Sequence, residues 1–163
     1  MKDTIISFVA RGSDSGKTRV MERVISKLRA RGLKVTAVKH SGRLSIPDKE
    51  GKDSYRFAMH GAQRVIAFSD EMLFMYEMKT PDLDYFSNLA SQGVDVVLIE
   101  GFKHGPYKKI EVFNPGVHDL PMCIENPGTD YIALVARQYV DAGITFFDFD
   151  DIDGICRLIE SLL

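Results

Sequence analysis

The most constraining feature is a short apolar strand joined by a glycine-containing loop to an amphipathic helix, near the start of the chain. Residues 5–10 (IISFVA) have the length and composition of a buried strand. Between residues 16 and 31, apolar side chains recur at helical spacing, at Met21, Val24, Ile25 and Leu28. A strand, a tight loop and a helix in this order form the first unit of an α/β fold.

The loop itself has the composition of a phosphate-binding loop. It contains Gly12, Ser13, Asp14, Ser15, Gly16, Lys17 and Thr18. The glycines allow the backbone amides to turn toward phosphate oxygens, and the helix N-terminus adds partial positive charge. Lys17 is placed to reach the β- and γ-phosphates, and the Thr18 hydroxyl is placed to hold Mg²⁺. The sequence therefore predicts a nucleoside triphosphate site with magnesium.

One position departs from the usual loop pattern, which is G-x-x-x-x-G-K-[ST]. Arg11 occupies the place of the first glycine, and Gly12 follows one residue later. The departure alters the entry to the loop but leaves the phosphate-contacting residues in place.

A second magnesium ligand is expected from an acidic residue on a neighbouring strand. Residues 94–100 (VDVVLIE) are nearly all apolar, as in a central parallel strand covered on both faces. Ligands of parallel sheets bind at the carboxyl ends of the strands, so Glu100 is favoured over Asp95. The alternative is a structural carboxylate neutralised by Lys103.

The remaining pattern alternates strands and helices. Residues 33–39 are predicted to form a strand parallel to the first and paired with it, and residues 41–52 a mobile surface loop. A helix at 53–61 precedes a hairpin of Arg64–Phe68 with Leu73–Met78. The next helix, at 81–91, is predicted to begin with Pro81 in its first turn. Its inward side chains are expected to be Leu83, Phe86 and Leu89 or Ala90. Strands follow at 110–113, 131–136 and 145–149, and a helix begins at about Asp151. We predict a three-layer P-loop fold with a mostly parallel sheet and an added β-hairpin.

Composition limits the classes of protein that the chain can belong to. Its 163 residues predict one phosphate-loop domain over 1–163. A net charge of −2 gives no reason to expect nucleic acid or an anionic membrane as a partner. Cys123 and Cys156 form no CxxC pair and are expected to be reduced, buried thiols. A cytoplasmic protein is the simplest interpretation.

Three stretches beyond the loop carry a resemblance to a known family. They are Val38-Lys39-His40, then residues 48–56 (DKEGKDSYR) followed by Gly61-Ala62, and residues 98–104 (LIEGFKH) leading to residues 109–112 (KIEV). Together with the loop they resemble the molybdopterin-guanine dinucleotide biosynthesis protein B (MobB) family over about residues 4–113.

The resemblance implies GTP binding with Mg²⁺, at most slow hydrolysis, and an accessory role in molybdenum cofactor biosynthesis. It also implies a homodimer and a partnership with the MobA-type molybdopterin guanylyltransferase, around molybdopterin or its guanine dinucleotide. Asp53 is expected either to cap a helix or to approach the magnesium shell. Lys39, His40, Lys103 and His104 are the expected contacts with the pterin or the partner, with Lys108 and Lys109 extending this basic loop.

Two departures limit what can be carried over. Ser41-Gly42-Arg43 follows Lys39-His40, where family members usually have further histidines. Arg137-Gln138 follows a late strand that family members end with a Ser/Thr-Asp pair near the guanine base. The chain also has no Asn-Lys-x-Asp signature, so the choice of GTP over ATP depends on the resemblance alone.

Two other functions remain open. A phosphate-loop kinase for a small metabolite would need an arginine-rich lid, and Arg43, Arg56 and Arg64 are scattered. A metallochaperone GTPase would need clustered ligands, and the sequence spreads its four histidines and two cysteines. The acidic cluster at 148–153 is expected to cap the last helix, and Met72, Met75 and Met78 to pack in a core or a dimer interface.

Overall fold

The computed structural model describes residues 4–128 and 130–163. The chain divides into two compact units, one within Met1–Ser41 and Ser87–Leu163 and the other within Gly42–Phe86. The expectation of one domain stays a prediction. Among the described residues, no helix is both long and apolar enough to cross a bilayer.

The larger unit is built on six parallel strands. They are β1 (Ile5–Val9), β2 (Val35–Lys39), β5 (Val96–Glu100), β6 (Lys108–Val112), β7 (Tyr131–Ala136) and β8 (Thr145–Asp148). Their order in the sheet is β2-β5-β1-β6-β7-β8, with every neighbouring pair parallel. All six carboxyl ends therefore meet at one side of the sheet, where ligands of such folds bind.

Helices cover both faces of this sheet, which confirms the predicted α/β class. Helices α1 (Lys17–Ala30) and α5 (Ile152–Glu160) pack together on one face, over buried apolar side chains of β1, β5, β6 and β7. On the other face, Cys123 of the short helix α4 (Met122–Glu125) packs with Leu134 and Ala136 of β7. The sequence reading missed α4, because four residues are too short for helical periodicity to show.

The predicted pairing of the first two strands is wrong. β5 lies between β1 and β2 and pairs with both. Its residues Val96–Ile99 are completely buried, whereas β2 is partly exposed along its length. The more apolar strand takes the central place because both of its faces are covered.

The smaller unit contains a helix and the predicted hairpin. Helix α2 (Asp53–Met59) is followed by β3 (Arg64–Phe68) and β4 (Leu73–Glu77), which pair antiparallel. The preceding segment, residues 42–52, has no helix or strand, as predicted for a loop.

Helix α3 (Leu83–Ser91) continues the chain across the boundary between the units, and it starts later than predicted. Pro81 precedes the helix, and Asp82 accepts a hydrogen bond from the Tyr85 amide at 2.8 Å, which caps the first turn. Ala90 is buried, which confirms the second of the alternatives Leu89 or Ala90, but Leu83 is nearly half exposed, so its predicted inward orientation is wrong.

The last helix follows its sequence signals closely. Asp151 is the N-cap residue of α5, and its carboxylate accepts the Gly154 amide at 2.8 Å. Ile152, Ile155 and Ile159 are buried on one stripe. The acidic cluster is also held by cations in α1 and at its C-cap, since Asp150 pairs with Arg23 at 2.6 Å and Asp153 with Arg31 at 2.5 Å.

Candidate nucleotide-binding site

The loop after β1 has the backbone conformation of an anion-binding turn. Asp14 and Gly16 both have positive φ angles, 59° and 87°, and Gly16 is the N-cap residue of α1, with no side-chain cap on the helix. Left-handed residues in such loops turn successive amides to one side and form concave anion sites. Without a side-chain cap, the first amides of α1 remain available for a ligand.

Gly16 is required for space as well as for conformation. A Cβ atom added there would lie 2.7 Å from two ring carbons of Phe149. Phe149 directly follows β8, is buried, and lies against the loop at Gly16. The glycine that the sequence placed at the helix start is thus fixed by a residue more than a hundred positions away.

Lys17 folds back over the loop. Its Nζ donates to the Gly12 carbonyl at 3.0 Å and to the Ser15 hydroxyl at 3.4 Å. Burial lowers the pKa of Lys17, while the charge of Glu100 works in the opposite direction. The ammonium therefore lies across the phosphate loop, and its contact with phosphates stays a prediction.

The Arg11 departure has a structural explanation. The Arg11 guanidinium forms an ion pair with Glu125 of α4 and donates to the Leu120 carbonyl at 3.5 Å. The long side chain anchors the entry of the loop to the segment before and within α4.

Thr18 and Glu100 come together as predicted for two magnesium ligands. The Thr18 hydroxyl donates to Glu100 Oε1 at 2.7 Å, because β5 lies beside β1 and Glu100 is opposite Phe8. Mg²⁺ prefers oxygen ligands and is often held by one or two protein groups together with phosphates and waters. The hydroxyl and the carboxylate fit such a cation.

Lys39 is the third residue of this cluster. The sequence suggests Lys103 as the cation that neutralises Glu100, but Lys39 forms that ion pair. Its Nζ lies 2.8 Å from Glu100 Oε2, since Lys39 is directly opposite Glu100 in the β2–β5 pair. Burial works to raise the pKa of Glu100, but hydrogen bonds from Lys39 and Thr18 outweigh it and keep the pKa below its ordinary value.

The segment after Glu100 forms the opposite wall of the site. Gly101 and Phe102 have positive φ angles, 92° and 61°, and the Phe102 ring packs against the His40 ring in a tilted arrangement, with centroids 4.7 Å apart. Lys103 and His104 follow and are exposed. The loop 12–18, Lys39, His40, Glu100, Lys103 and His104 line one cavity of about 980 Å³.

Other expected site residues lie elsewhere. Lys109 is in β6, where it is buried and contacts Asp130 at 3.1 Å, and Lys108 begins that strand. Neither belongs to a loop beyond Glu100, so that part of the prediction is wrong. β6 starts at the amino end of the sheet, far from the carboxyl ends that hold the phosphate loop.

Asp53 lies in the smaller unit, at the first residue of α2. The N-cap residue is Lys52, and no side chain caps this helix, so the capping role expected of Asp53 is wrong. Its carboxylate is exposed and lies 3.5 Å from Arg56. The magnesium role of Asp53 stays a prediction.

The site also contains contacts that sequence reasoning missed. These are the pairs Lys39–Glu100 and Arg11–Glu125, and the Arg137 side chain over Phe149 beside the loop. Knowledge of the strand order would have revealed the Lys39–Glu100 pair, because the register of β2 and β5 places these two residues opposite each other. In the described part of the chain, no three His, Cys, Asp or Glu side chains form a metal-binding group.

A parallel sheet, a loop with Gly16-Lys17-Thr18 after its first strand and a carboxylate on the adjoining strand define an α/β nucleotide-binding protein of the P-loop class. The family model "Molybdopterin guanine dinucleotide synthesis protein B" (MobB) matches residues 5–137. The chain belongs to this family.

Individual relatives agree with this assignment. The "Molybdopterin-guanine dinucleotide biosynthesis adapter protein" of Haemophilus influenzae is 37% identical over 156 residues, which cover 93% of this chain and 85% of the relative. The Escherichia coli protein of the same name is 29% identical over 95% of this chain and 90% of its own length.

Solved structures show the same fold. A crystal structure of "molybdopterin-guanine biosynthesis protein B (mobB)" superimposes with a TM-score of 0.75 at 28% identity, covering 98% of this chain and 99% of that one. The structure of Bacillus subtilis MobB also gives a TM-score of 0.75 at 28% identity, with 98% of both chains covered.

Proposed function

We propose that this protein binds GTP with Mg²⁺ and acts as an accessory protein in molybdenum cofactor biosynthesis, assisting the guanylyltransferase that forms molybdopterin guanine dinucleotide. Family membership supports the accessory role, since the relatives named above are adapter proteins of this pathway. The observation that carries the nucleotide site is the convergence of Lys17, Thr18 and Glu100 around one loop.

The residues divide into three roles in this proposal. The amides of loop 12–18 and the Lys17 ammonium hold the phosphates, while Thr18 and Glu100 hold Mg²⁺ directly or through water. Lys39, His40, Lys103 and His104 line the same cavity and contact the pterin or the partner protein. Asp53 is proposed to approach the magnesium shell.

Hydrolysis by the protein alone is at most slow in this proposal. The carboxylate that contacts Thr18, Glu100, already accepts hydrogen bonds from Thr18 and Lys39. A carboxylate held in this way favours its charged form and binds a cation more readily than it takes a proton from water.

A homodimer is also proposed, and the hairpin of the smaller unit supports it. Phe68 is paired directly with Leu73 across the two strands, and these side chains are 81% and 65% exposed. Ile66 lies on the same face and is also more than half exposed. Contiguous exposed apolar side chains of this kind mark interaction surfaces. Met72 and Met78 are exposed too, which excludes a core of this chain for them and leaves the dimer interface as their predicted place.

Calorimetric titration with GTP and ATP in the presence of Mg²⁺ tests the nucleotide site. Lys17→Ala removes a charge-assisted contact to phosphate and is expected to weaken GTP binding by roughly 10- to 150-fold. Lys34→Ala, at an exposed lysine just before β2, is the matched control and should bind normally. Equal affinities for GTP and ATP that do not depend on Lys17 would contradict the proposal.

The partnership and the dimer need separate measurements. Co-purification with a molybdopterin guanylyltransferase tests the accessory role, and its loss in Lys103→Ala/His104→Ala would place the contact at the site. Sedimentation velocity of Phe68→Asp is expected to show a monomer, whereas Leu44→Asp, at another exposed apolar residue of the smaller unit, should remain dimeric.

A cytoplasmic location is proposed on the basis of the two free, buried cysteines.

A further inference from the structure

A second cavity lies on the other flank of the phosphate loop. Its volume is about 170 Å³, several times the share of one water molecule in the liquid. On one side it is bounded by the loop and the start of α1, and on the other by residues that follow β6, β7 and β8. Its principal lining residues are Asp14, Arg19, Phe113, Asn114, Arg137 and Phe149.

The two cavities share the backbone of the loop. Asp14, Ser15 and Gly16 line both of them. The magnesium pair Thr18–Glu100 lies toward β5, on one side of β1, while the second cavity lies toward β6–β8, on the other side. A nucleotide with its cation-binding end at Glu100 therefore extends across Asp14–Gly16 toward the second cavity.

From this arrangement, and on the basis of the nucleotide site proposed above, we infer that the second cavity holds the purine base and that Arg137 selects guanine over adenine. Arg137 is the first residue after β7, and its Cζ lies 4.4 Å from the centroid of the Phe149 ring. A guanidinium over an aromatic face is attracted by the ring quadrupole. Because Phe149 is buried beneath Gly16, it provides a fixed platform for that side chain.

The opposite wall of the cavity is also fixed. The Asn114 side-chain amide donates to the Asp14 carbonyl at 3.4 Å, and Oδ1 of the same side chain accepts the Gly116 amide at 3.0 Å. These bonds join the turn after β6 to the phosphate loop. A base entering the cavity would meet preset surfaces, so less ordering entropy opposes its binding.

The chemistry of Arg137 discriminates between the two purines. A guanidinium carries only hydrogen-bond donors. The N7 and O6 atoms of guanine are both acceptors and form a bidentate pair with arginine, whereas adenine presents an N7 acceptor beside an N6 amino donor. The adenine amino group would face a second donor, so a site read by Arg137 favours GTP.

The test is calorimetry on the full chain with Mg²⁺ and three ligands: GTP, ATP and inorganic tripolyphosphate. Arg137→Ala is expected to weaken GTP binding by roughly 5- to 150-fold, while ATP and tripolyphosphate change by less than about twofold. Arg157→Ala removes the same charge from an exposed position of α5 and should leave all three affinities unchanged.

A GTP analogue with carbon in place of N7 identifies the acceptor. Wild type should bind 7-deaza-GTP less tightly than GTP, and Arg137→Ala should bind the two alike. An unchanged GTP/ATP ratio in Arg137→Ala, or no GTP preference in wild type, would overturn the inference. So would an equal loss of tripolyphosphate binding, because Arg137 would then contact phosphate. Lys17-independent binding of tripolyphosphate would instead overturn the nucleotide site itself.

Discussion

The Thr18 hydroxyl donates to Glu100 Oε1 across 2.7 Å and joins the first turn of α1 to the end of β5. Lys39 reaches the other oxygen of the same carboxylate at 2.8 Å. A single carboxylate thus connects the phosphate loop to two neighbouring strands. In the proposed site, magnesium binding would exchange these contacts for contacts to the cation and would thereby link the nucleotide to the strand ends.

The first prediction concerns magnesium. Glu100→Gln keeps the shape of the side chain but removes its negative charge, and should weaken the affinity of the nucleotide complex for Mg²⁺ on the order of 10- to 100-fold. The measurement is GTP titration at several magnesium concentrations. Asp95→Asn, at the other end of the same segment, is the control, because Asp95 accepts the Lys34 amide away from the loop. Normal magnesium dependence in Glu100→Gln would exclude Glu100 as a ligand.

The second prediction concerns the acid stability of the fold. Since the folded-state pKa of Glu100 lies below the ordinary 4.5, its charged form stabilises the fold above about pH 4.5 and loses this effect as the pH falls through the folded pKa. The difference in the free energy of unfolding between wild type and Glu100→Gln should be constant at neutral pH and shrink below about pH 4.5. Lys39→Ala should move this change to higher pH. Urea denaturation across the pH range measures both, and a difference that grew in acid would contradict the assignment.

The third prediction compares two glycines with the same backbone conformation. Gly16 and Gly32 have φ angles of 87° and 89°, but a Cβ atom at Gly32 would meet nothing within 4 Å. Gly32→Ala should cost about 1–2 kcal/mol for the left-handed backbone alone. Gly16→Ala should cost about 1–3 kcal/mol more, because the methyl group collides with Phe149. Equal destabilisation in urea would show that Phe149 moves aside freely.

The fourth prediction concerns the entry to the loop. If Arg11 positions the loop through Glu125, then Arg11→Ala and Glu125→Gln should each weaken GTP binding by a few-fold, since exposed ion pairs contribute modestly. The double variant should be no weaker than either single one, because both remove the same contact. Additive losses of affinity in this cycle would show that the two residues act independently.

The fifth prediction concerns the thiols. Burial, with the charge of Glu111 adding to it, raises the pKa of Cys123 to about 12, and burial raises the pKa of Cys156 to about 11. At about pH 8, roughly one Cys156 thiol in a thousand is ionised at that pKa. Native protein should therefore react with a disulfide reagent far more slowly than protein in guanidinium chloride. A native rate close to the denatured rate would mean that the segments around these cysteines open readily.

The sequence predicted local structure well where periodicity and caps agree. The strand, loop and helix from Ile5 to Ala30, the hairpin and the capped helix after Asp151 are all confirmed. Each of these depends on residues within a few positions of one another, so the pattern itself contains the information. Pro81 shows the limit, because an aspartate one residue later provides the cap and moves the helix start.

The sequence also placed Glu100 beside Thr18, from the rule that ligands gather at the carboxyl ends of parallel strands. The same rule could not identify the cation beside that carboxylate. Lys103 is close in sequence, but Lys39 is the residue opposite Glu100 in the sheet. The expected β1–β2 pair would have separated Lys39 from Glu100, so this error followed from the strand order.

By itself, then, the sequence determined the phosphate loop, the meeting of Thr18 with Glu100 and the family. These depend on a contiguous motif and on a general property of parallel sheets. Only the tertiary structure decided that Lys39 joins Glu100, that Arg11 reaches Glu125 and that Arg137 lies over Phe149. Such contacts are set by strand order and register, which bring together residues that no local periodicity connects.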